Sequence, residues 1–191
     1  MPIFRLAPEM LLGNTPEVVN TSVSNGAAGN YDTVQIMKRV ARERSRHPLV
    51  RELALHILRM AGVESQNYLD EARAIGQYVQ KKVRYVRDIR DVETLHDPLT
   101  LIDQLRRNEA QGDCDDMSLL IASLLLSIGH SPKFRIIKYS PHSHGFSHIY
   151  VVDYERNHGE RNKRRIVLDA IMKRKPIGFE VKHAVGEELA A

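Results

Sequence analysis

The chain opens polar and then turns periodic. Residues 1–30 read as an arm, because TSVSNGAAGN is small, polar and glycine-rich and has little to bury. From Asp32 apolar residues recur at helical spacing, with Val34, Met37, Val40 and Ala41 on one side. Pro48 interrupts this pattern and opens a second helix, LVRELALHILRMAG, which stops near Gly62. A third helix is predicted over 67–83, with Leu69, Ala72, Ile75 and Val79 on one face. RYVRDIRDVETLHD loses the period and reads as a strand and loop; Asp97-Pro98 then caps a short helix, PLTLIDQLRR.

The second half alternates between one strongly apolar helix and strands. The stretch GDCDDMSLLIASLLLSIG predicts a helix from Cys114 to about Ile128, ended by Gly129. FRIIKY (134–139), FSHIYVVDY (146–154) and RRIVLDAI (164–171) read as strands, with SPHSHG a turn between the first two. KPIGFEV reads as a fourth strand, and the C-terminal end as frayed. No internal repeat is present. Helices first and antiparallel strands afterwards give an α+β class, with one domain over 31–185: a helical part (32–83) and an α+β core (84–185).

Composition narrows this picture modestly. The chain has 191 residues, 42% of them hydrophobic, enough for a real core. A net charge of +4 is a weak pointer to a polyanion, because the charges are interspersed. A single cysteine excludes an internal disulfide and any multi-cysteine zinc or iron–sulfur site. MPIFRLAPEMLLGN lacks the pattern of a secretory signal, and LLIASLLLSIG is too short to span a bilayer. These features predict a soluble protein made in the cytoplasm, with no membrane partner and no cofactor.

The placement of that one cysteine raises the chemical question. Gly112 permits a tight turn, Asp113 is a good N-cap, and Asp116 completes an acidic form of the capping box. Cys114 then stands at a helix N-terminus, where the macrodipole favours a thiolate and free N–H groups can hold an oxyanion. Asp113, Asp115 and Asp116 act the other way, so a cationic histidine partner is needed. The bland alternative is a small core residue at the start of a buried helix.

Among nine histidines, His148 is distinctive because it lies inside an apolar strand. A two-residue turn at His158-Gly159 would set His148 directly opposite Asp169 on the next strand, within reach of a carboxylate–imidazole hydrogen bond. This register also gives a reason for a lone aspartate in IVLDAI.

Taken together, RYVRD (84–88), DVETLHDPLTLI (91–102), GDCDDMSLLIASLLLSIG (112–129), FSHIYVV (146–152) and VLDA (167–170) resemble the transglutaminase-like superfamily, relatives of papain-type cysteine proteases. The likeness covers about residues 70 to 170 and is to small members of bacterial and bacteriophage type. It implies a papain-like core with the cysteine helix packed on an antiparallel sheet. It also implies a thiol-dependent acyl transfer on amide bonds, with Cys114 as nucleophile, His148 as base and Asp169 as orienting carboxylate. Hydrolysis is the default outcome and transamidation the other. A protein or peptide is the implied substrate. The chain has no tryptophan, so the aromatic group that often completes the oxyanion site must be replaced; Tyr85, Gln104 and Gln111 are candidates.

Three other readings compete. His142, His144 and His148 fall within PHSHGFSH and could bind zinc, but no HExxH helix accompanies them, and no metal is expected. Arg156, Arg161, Lys163, Arg164 and Arg165, with KRVARERSRH at 38–47, offer a nucleic-acid surface; without interleaved aromatics a solvated face is preferred. Finally, the fold could serve as a catalytically silent assembly part, for example of a virion, with the N-terminal arm making the contacts.

Overall fold

The computed structural model describes residues 27–87, 94–155 and 164–191. Their order is α1 (Ala27–Arg44), α2 (Pro48–Ala61), α3 (Tyr68–Lys82), β1 (Arg84–Tyr85), α4 (Pro98–Arg107), β2 (Gln111–Gly112), α5 (Cys114–Ser127), β3 (Lys133–Lys138), β4 (His148–Tyr154), β5 (Arg165–Leu168) and β6 (Val185–Ala190). The class is α+β: five helices and an antiparallel sheet in the order β5-β4-β3-β6, with β1 and β2 forming a separate parallel pair. Among the described residues no helix is long and apolar enough to cross a membrane.

Local signals explain the helices. His47, Asn67, Asp97 and Asp113 each cap a helix with a side-chain acceptor, and Pro48 and Pro98 occupy first turns, where their missing N–H costs nothing. Gly62 and Asn108 close α2 and α4 in the left-handed conformation. α5 differs from the rest in being buried on almost every side. Leu119, Leu120, Ile121, Leu124 and Leu125 are fully inaccessible, packed between the other four helices and the sheet. Its apolar surface needs company all round, so it becomes the axle of the domain.

Alternation assigns the sheet faces. Phe134 and Ile136 on β3, Ile149 and Val151 on β4, and Ile166 and Leu168 on β5 face the helices in one core. Ile137, Tyr150, Val152 and Val167 form a smaller cluster on the opposite face. There Glu180 and Glu188 gather Arg135 and Arg165, and accept hydrogen bonds from the phenols of Tyr150 and Tyr154.

The strands depart from expectation at both ends of the sheet. KPIGFEV is not a strand. Gly178 has φ 105°, which breaks extension, and Ile177 turns inward to pack on Gly76, where a Cβ would lie 3.0 Å from Leu168 Cδ2. The fourth strand is instead the supposedly frayed end, Val185–Ala190, paired with β3 along its whole length. It lacks apolar alternation because its side chains are used in polar contacts: Glu188 holds Lys133 and Arg135, and Glu187 accepts the Tyr31 hydroxyl. Arg42 of α1 also donates to the carbonyl of Ala191 at 3.1 Å, so α1 is clasped to the last strand. α1 itself begins at Ala27, inside the expected arm. The β1–β2 pair was not foreseen, being only two residues per strand.

A buried polar cluster also joins three elements. His130 hydrogen-bonds a carboxylate through each ring nitrogen, Nδ1 to Asp153 Oδ2 of β4 at 2.5 Å and Nε2 to Glu71 Oε2 of α3 at 2.8 Å. Burial opposes charge on the ring, but the hydrogen bonds and charges of Asp153 and Glu71 outweigh it and raise the pKa. A raised folded-state pKa stabilises fully below the ordinary imidazole value, and the gain is lost as pH rises through the folded value. Thermal melting should therefore fall on going from neutral to alkaline pH. His130→Ala should lower the melting temperature near neutrality and flatten that slope, as differential scanning calorimetry at several pH values would read. An unchanged slope in the variant would assign the pH dependence elsewhere.

Candidate active site

α5 starts where it does because of Asp116. Its carboxylate is fully buried and takes three donors: the His96 N–H (2.7 Å), the His96 Nδ1 (2.7 Å) and the Asp113 N–H (3.3 Å). Asp113 answers by accepting from the Asp116 N–H, which completes the reciprocal capping box. Gly112 is required for a reason other than a tight turn. A Cβ there would sit 2.6 Å from Asp116 Oδ2 and 2.7 Å from its Cβ. The glycine lets the chain pass close over the carboxylate that fixes the first turn.

Cys114 therefore occupies the first position of α5, part-buried against the core. Two contacts tie this turn to β4. The Ser118 hydroxyl lies 2.6 Å from the carbonyl of Cys114 and 3.3 Å from that of Ile149. The Ile149 N–H reaches the thiol itself. Ile149 directly follows His148, so the thiol and the imidazole meet the same peptide.

His148 and Asp169 form a buried pair, with Nε2 2.8 Å from Asp169 Oδ2. The ladder does not place them directly opposite. Val151 pairs with Leu168, so one further step sets Tyr150, not His148, across from Asp169. The offset is two residues, which leaves both side chains on the same face, and the bond is made diagonally just beyond the end of β5. The expected turn at His158-Gly159 lies outside the described residues. The segment after Asp169 is held by α3: Gln80 Nε2 donates to the carbonyls of Met172 (3.0 Å) and Lys175 (3.1 Å).

Because Nε2 serves Asp169, Nδ1 is the nitrogen left to serve a thiol. Among the described residues no hydrogen bond joins Cys114 Sγ to the ring. Tyr139, at the end of β3, stacks on His148 with centroids 6.4 Å apart and planes 8° from parallel. Burial raises the Tyr139 pKa, and the charges of Asp169 and Cys114 raise it further, so this phenol feels both groups. It was not picked from the sequence; an aromatic residue closing a strand before a histidine-rich turn was the only signal.

The oxyanion candidates separate. Tyr85, half-exposed, has its pKa raised by burial and then by the charges of Cys114 and Asp113. Gln104 accepts the Gln111 N–H at 3.3 Å, and Gln111 accepts from the Arg84 guanidinium. Both amides thus brace β2 and its junction with β1.

The electrostatics of the thiol differ from those a helix N-terminus alone would give. Burial raises its pKa strongly, Asp115 and Asp113 add to the rise, and the N–H groups of Ile149 and Cys114 offset only part of it. Ligating atoms of Asp113, Cys114 and Asp115 lie within 4.8 Å of one another. His142 and His144, by contrast, are exposed in the β3–β4 loop while His148 is buried, and among the described residues the three do not gather. Of the expected basic surface, Arg164 pairs with Glu155, Arg165 with Glu180, and Arg44 with Asp97; Arg156, Arg161 and Lys163 lie outside the described residues. The chain matches no model of a known protein family and no curated protein.

Two outcomes are expected. Alkylation of Cys114 by iodoacetamide at pH 7 should be slower than that of a free model thiol and should climb with pH, because the protonated form is favoured; Asp115→Asn should speed it. A rate equal to the model thiol across pH would contradict this electrostatic picture. Gly112→Ala should cost about 1–3 kcal/mol in urea unfolding, from the clash with Asp116, and no loss would show that the first turn has room to shift.

Proposed function

We propose that the protein is a thiol-dependent acyl-transfer enzyme acting on amide bonds, built on a papain-like core of the transglutaminase-like kind. The observation that carries this reading is the buried His148–Asp169 pair on β4 and the end of β5, set beside the helix N-terminus that begins with Cys114. A sheet lying against a central helix, with the thiol at the helix tip, also supports it.

The chemistry follows from the geometry. Asp169 holds Nε2–H, so His148 is oriented to accept the thiol proton on Nδ1. The raised thiol pKa favours proton transfer during attack over a standing thiolate–imidazolium pair. The sulfur adds to the carbonyl carbon, and the Cys114 N–H and the Tyr85 hydroxyl are the donors we assign to the oxyanion. The imidazolium then protonates the departing amine, leaving a thioester. Water releases the acid, and a lysine amine in its place gives transamidation. Catalytic hydrogen bonds often tighten only with substrate bound, so the Cys114–His148 contact is expected to close on binding. The substrate is a protein or peptide.

One observation favours a second reading, a catalytically silent assembly part: acidic neighbours and burial both keep the thiol protonated. The variants distinguish the two. Cys114→Ala and His148→Ala should each abolish amide hydrolysis and amine incorporation, measured with casein and monodansylcadaverine, without changing the circular dichroism spectrum. Asp169→Asn should retain more activity than Asp169→Ala, since an amide oxygen can still face Nε2 while its NH2 takes the position of Oδ1, which has no hydrogen-bond partner. Full activity in Cys114→Ala would end the enzyme reading, and a well-folded wild type inert on all amide substrates would favour the assembly role.

A further inference from the structure

A groove of about 500 Å³ opens between α2, α3 and α4 and shares no residue with the candidate active site. Its floor and walls are apolar: Leu53, Ile57, Ala74, Ile102 and Leu105, with Met60 more than half exposed at the mouth. His56, Gln77, Tyr78 and Asn108 also line it, but its lysines and arginine are not spread evenly. β1 and β2 pair in parallel immediately after α3 and α4, and the Arg84 N–H bonds the Ala110 carbonyl at 2.8 Å, so the C-terminal ends of these two helices are held together. Lys81, Lys82 and Arg106, all in those last turns, therefore share one end of the groove. No aspartate or glutamate lines it, and among the described residues none of the three cations makes an ion pair.

We propose that this groove binds a single-chain anionic amphiphile, a free fatty carboxylate, with the acyl chain on the apolar floor and the carboxylate at the Lys81–Lys82–Arg106 end. The volume falls in the range of small-molecule sites rather than that of a large protein interface. From Ala74 to Lys82 the α3 wall runs roughly 12 Å at the helical rise, a length that an extended acyl chain spans. A ligand apolar along its body and charged at one end matches a groove that is mainly apolar and carries its cations at one end. Three cations at one end of a groove with no acid in its lining repel one another, and a bound carboxylate would relieve that repulsion.

Isothermal titration of the full chain with dodecanoate, below its micellar concentration, tests the proposal. Saturable one-to-one binding is expected, with no heat from acetate, which lacks the chain, or from dodecyltrimethylammonium, which has the opposite charge. Lys81 and Lys82 are exposed, so Lys81→Glu/Lys82→Glu should fold normally and weaken binding by about tenfold or more. Ala61→Trp, at the rim, should weaken it by narrowing the groove while leaving the melting temperature unchanged. The proposal is overturned by any of three results: no saturable binding of dodecanoate, equal affinity for the cationic amphiphile, or affinity untouched by both variants. Binding seen only with phosphatidylglycerol vesicles would also overturn it, in favour of a lipid surface.

Discussion

The Asp116 carboxylate is the point on which the candidate site depends. It is wholly buried and would be costly to leave unpaired. Its three donors come from two places in the chain, His96 before α4 and Asp113 beside it. Satisfying one buried charge therefore fixes the entry to α4, the path over Gly112 and the first turn of α5 together. The position of the thiol is a by-product of that arrangement.

From this point rigidity spreads along α5. Every neighbouring element packs on it, so a displacement of its first turn would have to move the whole core. Ser118 then couples the turn to β4, the strand that carries His148. Cys114 and His148 thus belong to different elements that are joined by Ser118, one turn on from the thiol, and Ile149, the residue after the imidazole. The acidic neighbours of the thiol complement this rigidity. With burial, they favour the protonated form of the resting sulfur.

Much of this was legible in the chain. The caps at Asp97 and Asp113, the apolar periodicity of α2 and α3, and the run from Met117 to Leu125 specify their helices by local chemistry alone. The His148–Asp169 pair was readable because a strand residue's face depends only on parity, so an error of two in register did no harm. What escaped was non-local. β6 is held by ion pairs and by the backbone of β3, so hydrophobic alternation could not announce it. The His130 cluster draws on α3, a loop and β4, separated by 59 and 23 positions. The thiol's raised pKa came mostly from burial, which a sequence does not display.

The clasp between α1 and β6 bears on how the domain is made. β6 is the outer strand of the sheet, and its partners Tyr31 and Arg42 lie some 150 positions earlier. During synthesis the first helix emerges long before the strand that secures it. α1 must therefore wait, docked on α5 at best, until residues 185–191 have left the ribosome and can zip onto β3. Closing so long a loop is entropically slow, which makes this step a natural candidate for the late, rate-setting event of folding. A chain stalled before that step would expose one edge of β3 and the underside of α1, the kind of unpaired surface on which chaperones and aggregation compete.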